Sequence, residues 1–202
     1  MAINLANNNS LANITALPSS ISGGAMTLLA TQTASGSANL SFTSGIDDTY
    51  DSYVFKFYNI HPATDNVQFL FNMSSDSGSN YNVTKTTTYF LAEHNATGGS
   101  ANLSYQSAKD LAQSTDFQKL MTDLGNAADE NLSGYLTIYN PSSTTFVKNF
   151  MSRTNAQAYS ATNISFDNYI AGYGNTTSAV DAIQFKMSSG TFDGVIKLYG
   201  VS

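Results

Sequence analysis

The chain has 202 residues, a net charge of −6 and no cysteine. The lack of cysteine excludes disulfides, Cys-zinc sites and thiol nucleophiles, and the eight scattered Lys and Arg residues form no basic patch for nucleic acid or a membrane surface. Charged residues are only 11% of the chain, whereas Tyr and Phe contribute 12 residues each, so polarity comes from Ser, Thr and Asn, which is typical of short strands joined by turns.

The N-terminal residues 1–24 are polar, weakly patterned, and end in the linker-like stretch ALPSSISGG. We interpret them as an extended arm that orders only against a partner, leading into a folded domain at 25–202; a disordered terminus is the alternative. The first residues lack the basic and apolar regions of a signal peptide, and we therefore expect a chain made and kept in a cytoplasm. The candidate partner-binding anchors of the arm are its apolar residues, namely Ile3, Leu5, Leu11, Ile14 and Leu17.

Strand patterns recur along the rest of the chain at a spacing typical of sandwiches and barrels. In one of them Tyr53, Phe55 and Phe57 alternate with more polar positions, as expected for antiparallel sheets that are packed on one side. We therefore predict an all-β fold, an antiparallel β-sandwich with a jelly roll as the candidate topology. The predicted strands are 26–33, 37–43, 52–60, 66–73, 82–92, 101–107, 133–140, 145–153, 163–172, 180–188 and 194–201.

The stretch VFKFYNIHPATDNVQFLF at 54–71 contains two alternating runs separated by IHPATDN. Because the residue before proline is driven into extended backbone, His61 should end a strand, and Asp65 favours a turn. We interpret the stretch as two neighbouring antiparallel strands with a tight connection. The alternative, His61 and Asp65 as a base and its orienting group or as metal ligands with Glu93 and His94, has no accompanying catalytic motif.

One segment, 108–129, also has a partial helical pattern. Phe117, Leu120, Met121 and Leu124 recur at intervals close to 3.6 residues, and Gly125 is a candidate C-cap. The alternative is a strand with an irregular loop, which we slightly prefer.

Two loops carry carboxylates. SSDSGSNYN at 74–82, with Asp76, superficially resembles a calcium loop, but the closing glutamate is missing, and a solvated loop is favoured. Asp47, Asp48 and Asp51 are candidates for glycoside hydrolysis, but a polar turn before a strand explains them more simply. We therefore predict no enzyme activity and no catalytic, cofactor-binding or metal-binding residue.

Tyrosine is the most informative exposed residue type, because it provides a large contact area with a polar tip. A sugar-binding face and a subunit interface are both candidate uses, and the absence of Trp favours the interface. The candidates are Tyr81, Tyr89, Tyr105, Tyr135, Tyr139, Tyr159, Tyr169 and Tyr173.

Several stretches resemble proteins encoded by tailed bacteriophages of aquatic, notably marine, bacteria. The resemblance runs from about residue 10 over nearly the whole chain and is carried by SLANITALPSSISGGAMTLLATQTAS, SFTSGIDDTYDSYVFKFYNIHPATDNVQFLFNMSSDSGSNYN, YNPSSTTFVKNFMSRTN and GYGNTTSAVDAIQFKMSSGTFDGVIKLYGV. Relatives of this kind are generally described only as uncharacterised or structural proteins, so the resemblance implies a setting more firmly than a role.

In that setting the chain is expected to be a non-enzymatic virion component, assembled in the bacterial host cytoplasm. The favoured role is a capsid decoration (cement) protein that binds other virion proteins through its arm and sheet edges. The alternative is a tail or fibre protein whose β-sandwich binds a receptor or a host-surface glycan. A homo-oligomer is expected, with a trimer favoured, since capsids and fibres often have threefold symmetry.

Overall fold

The computed structural model describes residues 26–99, 101–159 and 163–202, and these ranges form twelve β-strands. All pairings between them are antiparallel, so the predicted all-β antiparallel fold is confirmed. The strands are β1 (Thr27–Ser37), β2 (Asn39–Phe42), β3 (Ser52–Pro62), β4 (Val67–Ser74), β5 (Lys85–Asn95), β6 (Ala101–Tyr105), β7 (Gln118–Leu124), β8 (Leu132–Tyr139), β9 (Lys148–Ala158), β10 (Ile164–Gly174), β11 (Ala182–Met187) and β12 (Phe192–Val201).

Two layers of strands enclose the core. The large sheet has the order β1-β12-β3-β8-β9-β10-β5-β6, and the small sheet has the order β2-β11-β4-β7. The layers join where β1 bends into β2 at Gly36, whose φ of +58° favours glycine, and at a single bridge between Leu124 and Ala158. The result is a sandwich that is nearly closed into a barrel.

The order of eight of these strands is that of a jelly roll. β1-β12-β3-β8 face β2-β11-β4-β7, which is the arrangement produced when a long antiparallel hairpin is wrapped over itself. The remaining four strands, β5, β6, β9 and β10, form two hairpins inserted into this pattern. The inserted strands pair with one another through β10 and β5 and widen the large sheet to eight strands.

Phenylalanine fills the space between the layers. Phe185 of β11 lies at the centre, with its ring centroid 5.3 Å from that of Phe55 and 5.2 Å from that of Phe57 across the sandwich. Phe69 stacks on Phe185 at 5.9 Å from the neighbouring strand of the small sheet. All four rings are buried, so these inward-facing positions of the alternating strands form the predicted core.

The prediction that residues 54–71 form neighbouring strands is wrong. β3 and β4 are antiparallel partners of other strands, and the connection between them passes from the large sheet to the small sheet. Ala63 N–H donates to Thr191 O at 2.9 Å, and Asn66 has a φ of +54°, so turn-forming residues are used here to cross between layers. A connection of this length can form either an arch between layers or a hairpin. The two are distinguished only by which strands pair with β3 and β4.

The segment 108–129 contains a strand after an irregular loop, as preferred from the sequence. β7 covers Gln118–Leu124 and pairs with β4, and its register shifts twice near Phe69. Asp123 has a φ of +56° within the strand. These irregularities bring Leu120, Met121 and Leu124 inward together, which explains their helix-like spacing. Among the described residues, no helix has the length and apolarity needed to cross a membrane.

Candidate functional site

The large sheet turns one face away from the small sheet, and we call this side the outer face. One row of cross-strand neighbours crosses all eight strands on it, because directly paired residues point to the same side of a sheet. In strand order the row is Thr31, Lys197, Lys56, Tyr135, Arg153, Tyr169, Phe90 and Tyr105. Chain segments that are far apart in sequence therefore build one continuous surface.

Aromatic side chains in this row are unusually exposed. Tyr135, Tyr169, Phe90 and Tyr105 each keep between 39% and 46% of their surface accessible. Phe90 and Tyr105 contact edge to face with their ring centroids 5.2 Å apart. In the adjacent row, Met151 is also exposed. Exposed apolar groups clustered in this way are a general feature of interaction surfaces.

Arg153 is the centre of a polar network within the row. Its Nη2 and Nε groups donate to the Asp167 carboxylate at 2.6 Å and 3.0 Å, and the guanidinium lies 4.8 Å from the centroid of the Tyr169 ring. The Tyr169 hydroxyl donates to the same carboxylate at 3.0 Å. The hydrogen bonds from Arg153 lower the pKa of Asp167, so its charge persists at acidic pH. This network fixes the orientation of Tyr169.

A depression of about 300 Å³ lies over these strands, lined by Phe90, Tyr135, Met151, Arg153 and Tyr169 among others. Its walls combine aromatic rings with a fixed guanidinium. Tyr, Phe, Met and Arg are the side chains enriched at protein interfaces, and the same combination also suits stacking on a sugar. The arrangement provides contact surface and hydrogen-bond donors.

The large sheet also has two edges, β1 and β6. In β6 every residue is exposed or half-buried, and Leu103 is 69% exposed. The loop that follows β6 continues along β5, where Lys85 and Ser114 exchange backbone hydrogen bonds at 2.8 Å and 3.0 Å. Among the described residues β6 pairs with β5 alone, and an exposed edge strand of this kind can accept a strand from another chain.

Of the two histidines, His61 is held in a structural hydrogen bond and His94 is exposed. The His61 Nδ1–H group donates to Glu130 O at 2.6 Å, and Asp65 Oδ1 accepts a hydrogen bond from Asn126 N–H at 3.2 Å. His61 and Asp65 thus bind different groups and do not form a pair. His94 is exposed on β5, and Glu93 points to the opposite side of that strand. The base and metal-ligand alternatives for these residues have no geometric support.

The acidic loops are held by local hydrogen bonds. Asp76 accepts hydrogen bonds from Ser74 Oγ at 2.6 Å and from Asn80 N–H and Nδ2 at 2.8 Å and 2.7 Å, and these lower its pKa to about 2. Hydrogen bonds from Thr49, and then from the Tyr53 hydroxyl, similarly lower the pKa of Asp47. In the ranges that the structure describes, no three His, Asp or Glu side chains are grouped as a metal site would require.

Two lysines are buried, which sequence reasoning missed. Lys85 Nζ donates to Asn72 Oδ1 at 2.5 Å and to Val83 O at 2.7 Å, and burial lowers its pKa to about 7, an effect partly offset by Asp116. Lys148 Nζ donates to three backbone carbonyls, those of Ser143, Phe146 and Thr176, at 2.6–3.2 Å. The signal was present in the alternation, since both lysines occupy inward positions of their strands.

The tyrosines divide between the core and the surface. Tyr105, Tyr135 and Tyr169 lie in the exposed row, whereas Tyr89 is buried and donates to Asn168 Oδ1 at 2.7 Å. Tyr159 lies beyond the end of β9. The arm anchors predicted at positions 3, 5, 11, 14 and 17 fall outside the described residues.

Comparison with known proteins adds no relative. No protein-family model, curated protein or solved structure matches the chain.

Proposed function

We propose that the protein is a non-catalytic structural component of a tailed-phage virion, a capsid decoration protein that binds neighbouring subunits. The observation that carries the proposal is the exposed row of Tyr135, Arg153, Tyr169, Phe90 and Tyr105 on the outer face. Aromatic and Arg side chains that are exposed in a free subunit and held in place by their neighbours are typical anchors of protein interfaces.

Two further features support this role. The resemblance of the sequence to phage proteins supplies the setting, and the jelly-roll order occurs in many viral capsid domains, although fold alone does not determine function. The open edge at β6 offers a second means of contact, since a strand of an adjacent subunit can extend the sheet there.

The test uses particles of the phage that encodes the chain. Quantitative mass spectrometry of purified virions should find this protein at hundreds of copies per particle, as decoration requires. Its absence from virions would refute the proposal, and about a dozen copies would place it in the tail instead.

Rebinding to particles that lack the protein tests the outer face. The triple variant Phe90→Ser, Tyr135→Ser and Tyr169→Ser should bind at least about a hundredfold more weakly, because each anchor contributes roughly 1 kcal/mol or more. The matched control is Phe146→Ser with Tyr159→Ser, which removes exposed rings outside the strands. Equal rebinding of the triple variant and the wild-type protein would remove the outer face from the proposal.

A second candidate role is a tail or fibre protein that binds a host-surface glycan. The depression beside Arg153 favours it, because aromatic walls and fixed polar groups suit sugar rings. Binding of the wild-type protein to host cells, lost in the triple variant, would support this role. Attachment to virions without any binding to host cells would exclude it.

A further inference from the structure

Two lysines of the outer face are placed directly against each other. Lys56 of β3 and Lys197 of β12 are paired residues in adjacent antiparallel strands. Like charges in directly opposed positions of a sheet repel each other, whereas opposite charges there are stabilising. The repulsion is a cost to the folded subunit that a bound anion would remove.

Among the described residues, neither lysine has an acidic partner. The ion pairs in the described ranges are Lys109 with Asp123 and Arg153 with Asp167, and no hydrogen bond within those ranges uses the ammonium group of Lys56 or Lys197. Both side chains are half-buried. The chain as a whole carries a net charge of −6, so this pair of lysines is a local exception to its overall charge.

Two tyrosines hold the lysines in place. Lys56 Nζ lies 5.3 Å from the ring centroid of Tyr199, and Lys197 Nζ lies 5.5 Å from that of Tyr58. Burial raises the pKa of Tyr58, and the charge and hydroxyl of the nearby Tyr199 raise it further. The four side chains therefore form one contiguous cluster that carries two ammonium groups and two phenol hydroxyls.

The donors of this cluster fit an oxyanion. Ammonium groups and phenol hydroxyls donate hydrogen bonds, and the cation–π contacts restrict the lysines before any ligand arrives. Lys56 is also the direct neighbour of Tyr135, so the cluster continues the aromatic row without a gap. A partner that covers the row would place its own surface over the lysines.

We propose that Lys56, Lys197, Tyr58 and Tyr199 form a binding site for a carboxylate group on the neighbouring virion subunit that covers the outer face. The inference rests on the proposed function and identifies the chemistry of the partner. A protein carboxylate is favoured for two reasons. The adjoining row has the composition of a protein interface, and the positive charge of the two lysines is complementary to an acidic patch on the partner.

Immobilised poly-glutamate is the probe, with polygalacturonate and neutral dextran as comparisons. The variant Lys56→Gln with Lys197→Gln should bind poly-glutamate about tenfold more weakly than wild type, since two charge contacts of modest strength are lost. The control Lys119→Gln with Lys186→Gln removes the same charge from strands of the small sheet and should change the affinity by less than about twofold. The variant Lys56→Arg with Lys197→Arg should retain binding. Added salt should weaken wild-type binding.

Several results would overturn the inference. The first is that the wild-type protein does not bind poly-glutamate, and the second is that the control variant loses as much affinity as the Lys56 and Lys197 variant. The third is tighter binding of polygalacturonate than of poly-glutamate, which would identify a sugar acid as the ligand.

Rebinding to virions separates this inference from the proposed function. If the protein is a virion component but the Lys56 and Lys197 variant attaches as well as wild type, only the carboxylate site fails. If the protein is absent from virions, the proposed function fails whatever poly-glutamate shows.

Discussion

Lys85 gives the most direct test of the energetics of this fold. Its side chain is fully buried, with Nζ donating to Asn72 Oδ1 and Val83 O, and burial lowers its pKa from 10.5 to about 7. A shift of this size corresponds to ~5 kcal/mol of difference between the two protonation states. We expect Lys85→Met, which keeps the length of the side chain but not its charge, to remove the resulting pH dependence.

The sign follows from proton binding. Between pH 7 and pH 10 the folded protein has lost the Lys85 proton while the unfolded chain keeps it. Because the unfolded chain then binds more protons, the free energy of unfolding rises with pH. The destabilisation caused by burying the charged Lys85 is therefore largest below pH 7. Over the interval from pH 7 to pH 9, the wild-type protein should gain about 2 kcal/mol relative to the variant.

Urea unfolding at pH 7, 8 and 9, followed by far-ultraviolet circular dichroism, measures this difference. The control is Lys186→Met, because Lys186 lies on the surface of the small sheet with Nζ 4.0 Å from the Phe117 ring centroid. The control should retain the wild-type slope. Parallel curves for wild type and Lys85→Met over these pH values would refute the reasoning, since Lys85 would then have similar pKa values in both states.

Three further predictions concern the core, a loop and a strand contact. Phe185→Ala should lower the free energy of unfolding by roughly 3–5 kcal/mol, because this ring contacts both layers; a loss under about 1 kcal/mol in urea unfolding would contradict its central position. Asp76 has its pKa lowered to about 2, so the stability it contributes is present above pH 4 and is lost as the pH falls towards 2; acid titrations of Asp76→Asn should lack this component, and an unchanged acid profile would count against it. Gly134→Val should prevent correct pairing of β8 with β9, because a Cβ there would lie 2.3 Å from Arg153 O; a soluble variant with a wild-type circular dichroism spectrum would exclude this close approach.

Much of the fold could be predicted from local patterns. The alternation of apolar and polar residues predicted eleven of the strands, because inward and outward residues differ in polarity along each strand. β7 gave a mixed pattern since its register shifts and the positive φ of Asp123 break the period of two. The order of strands was beyond local reasoning, because a connection such as HPATDN suits both a hairpin and an arch between layers.

The candidate site was only partly predictable. The sequence marked Tyr105, Tyr135 and Tyr169 as contact residues, and the structure places them in one row. It did not pair them with Arg153 or Phe90, because their alignment depends on the register between strands that are far apart in the chain. The pairing of Lys56 with Lys197 could not be predicted for the same reason.

The inserted strands carry most of the exposed aromatic row. The four central rings, those of Phe55, Phe57, Phe69 and Phe185, lie on jelly-roll strands. On the added hairpins lie Arg153, Tyr169, Phe90 and Tyr105. Substitutions on the solvent side of these hairpins leave the central rings untouched, so the molecule can acquire a new partner at little risk to its folding. Variation can therefore accumulate on the solvent side of these hairpins more readily than at the central rings.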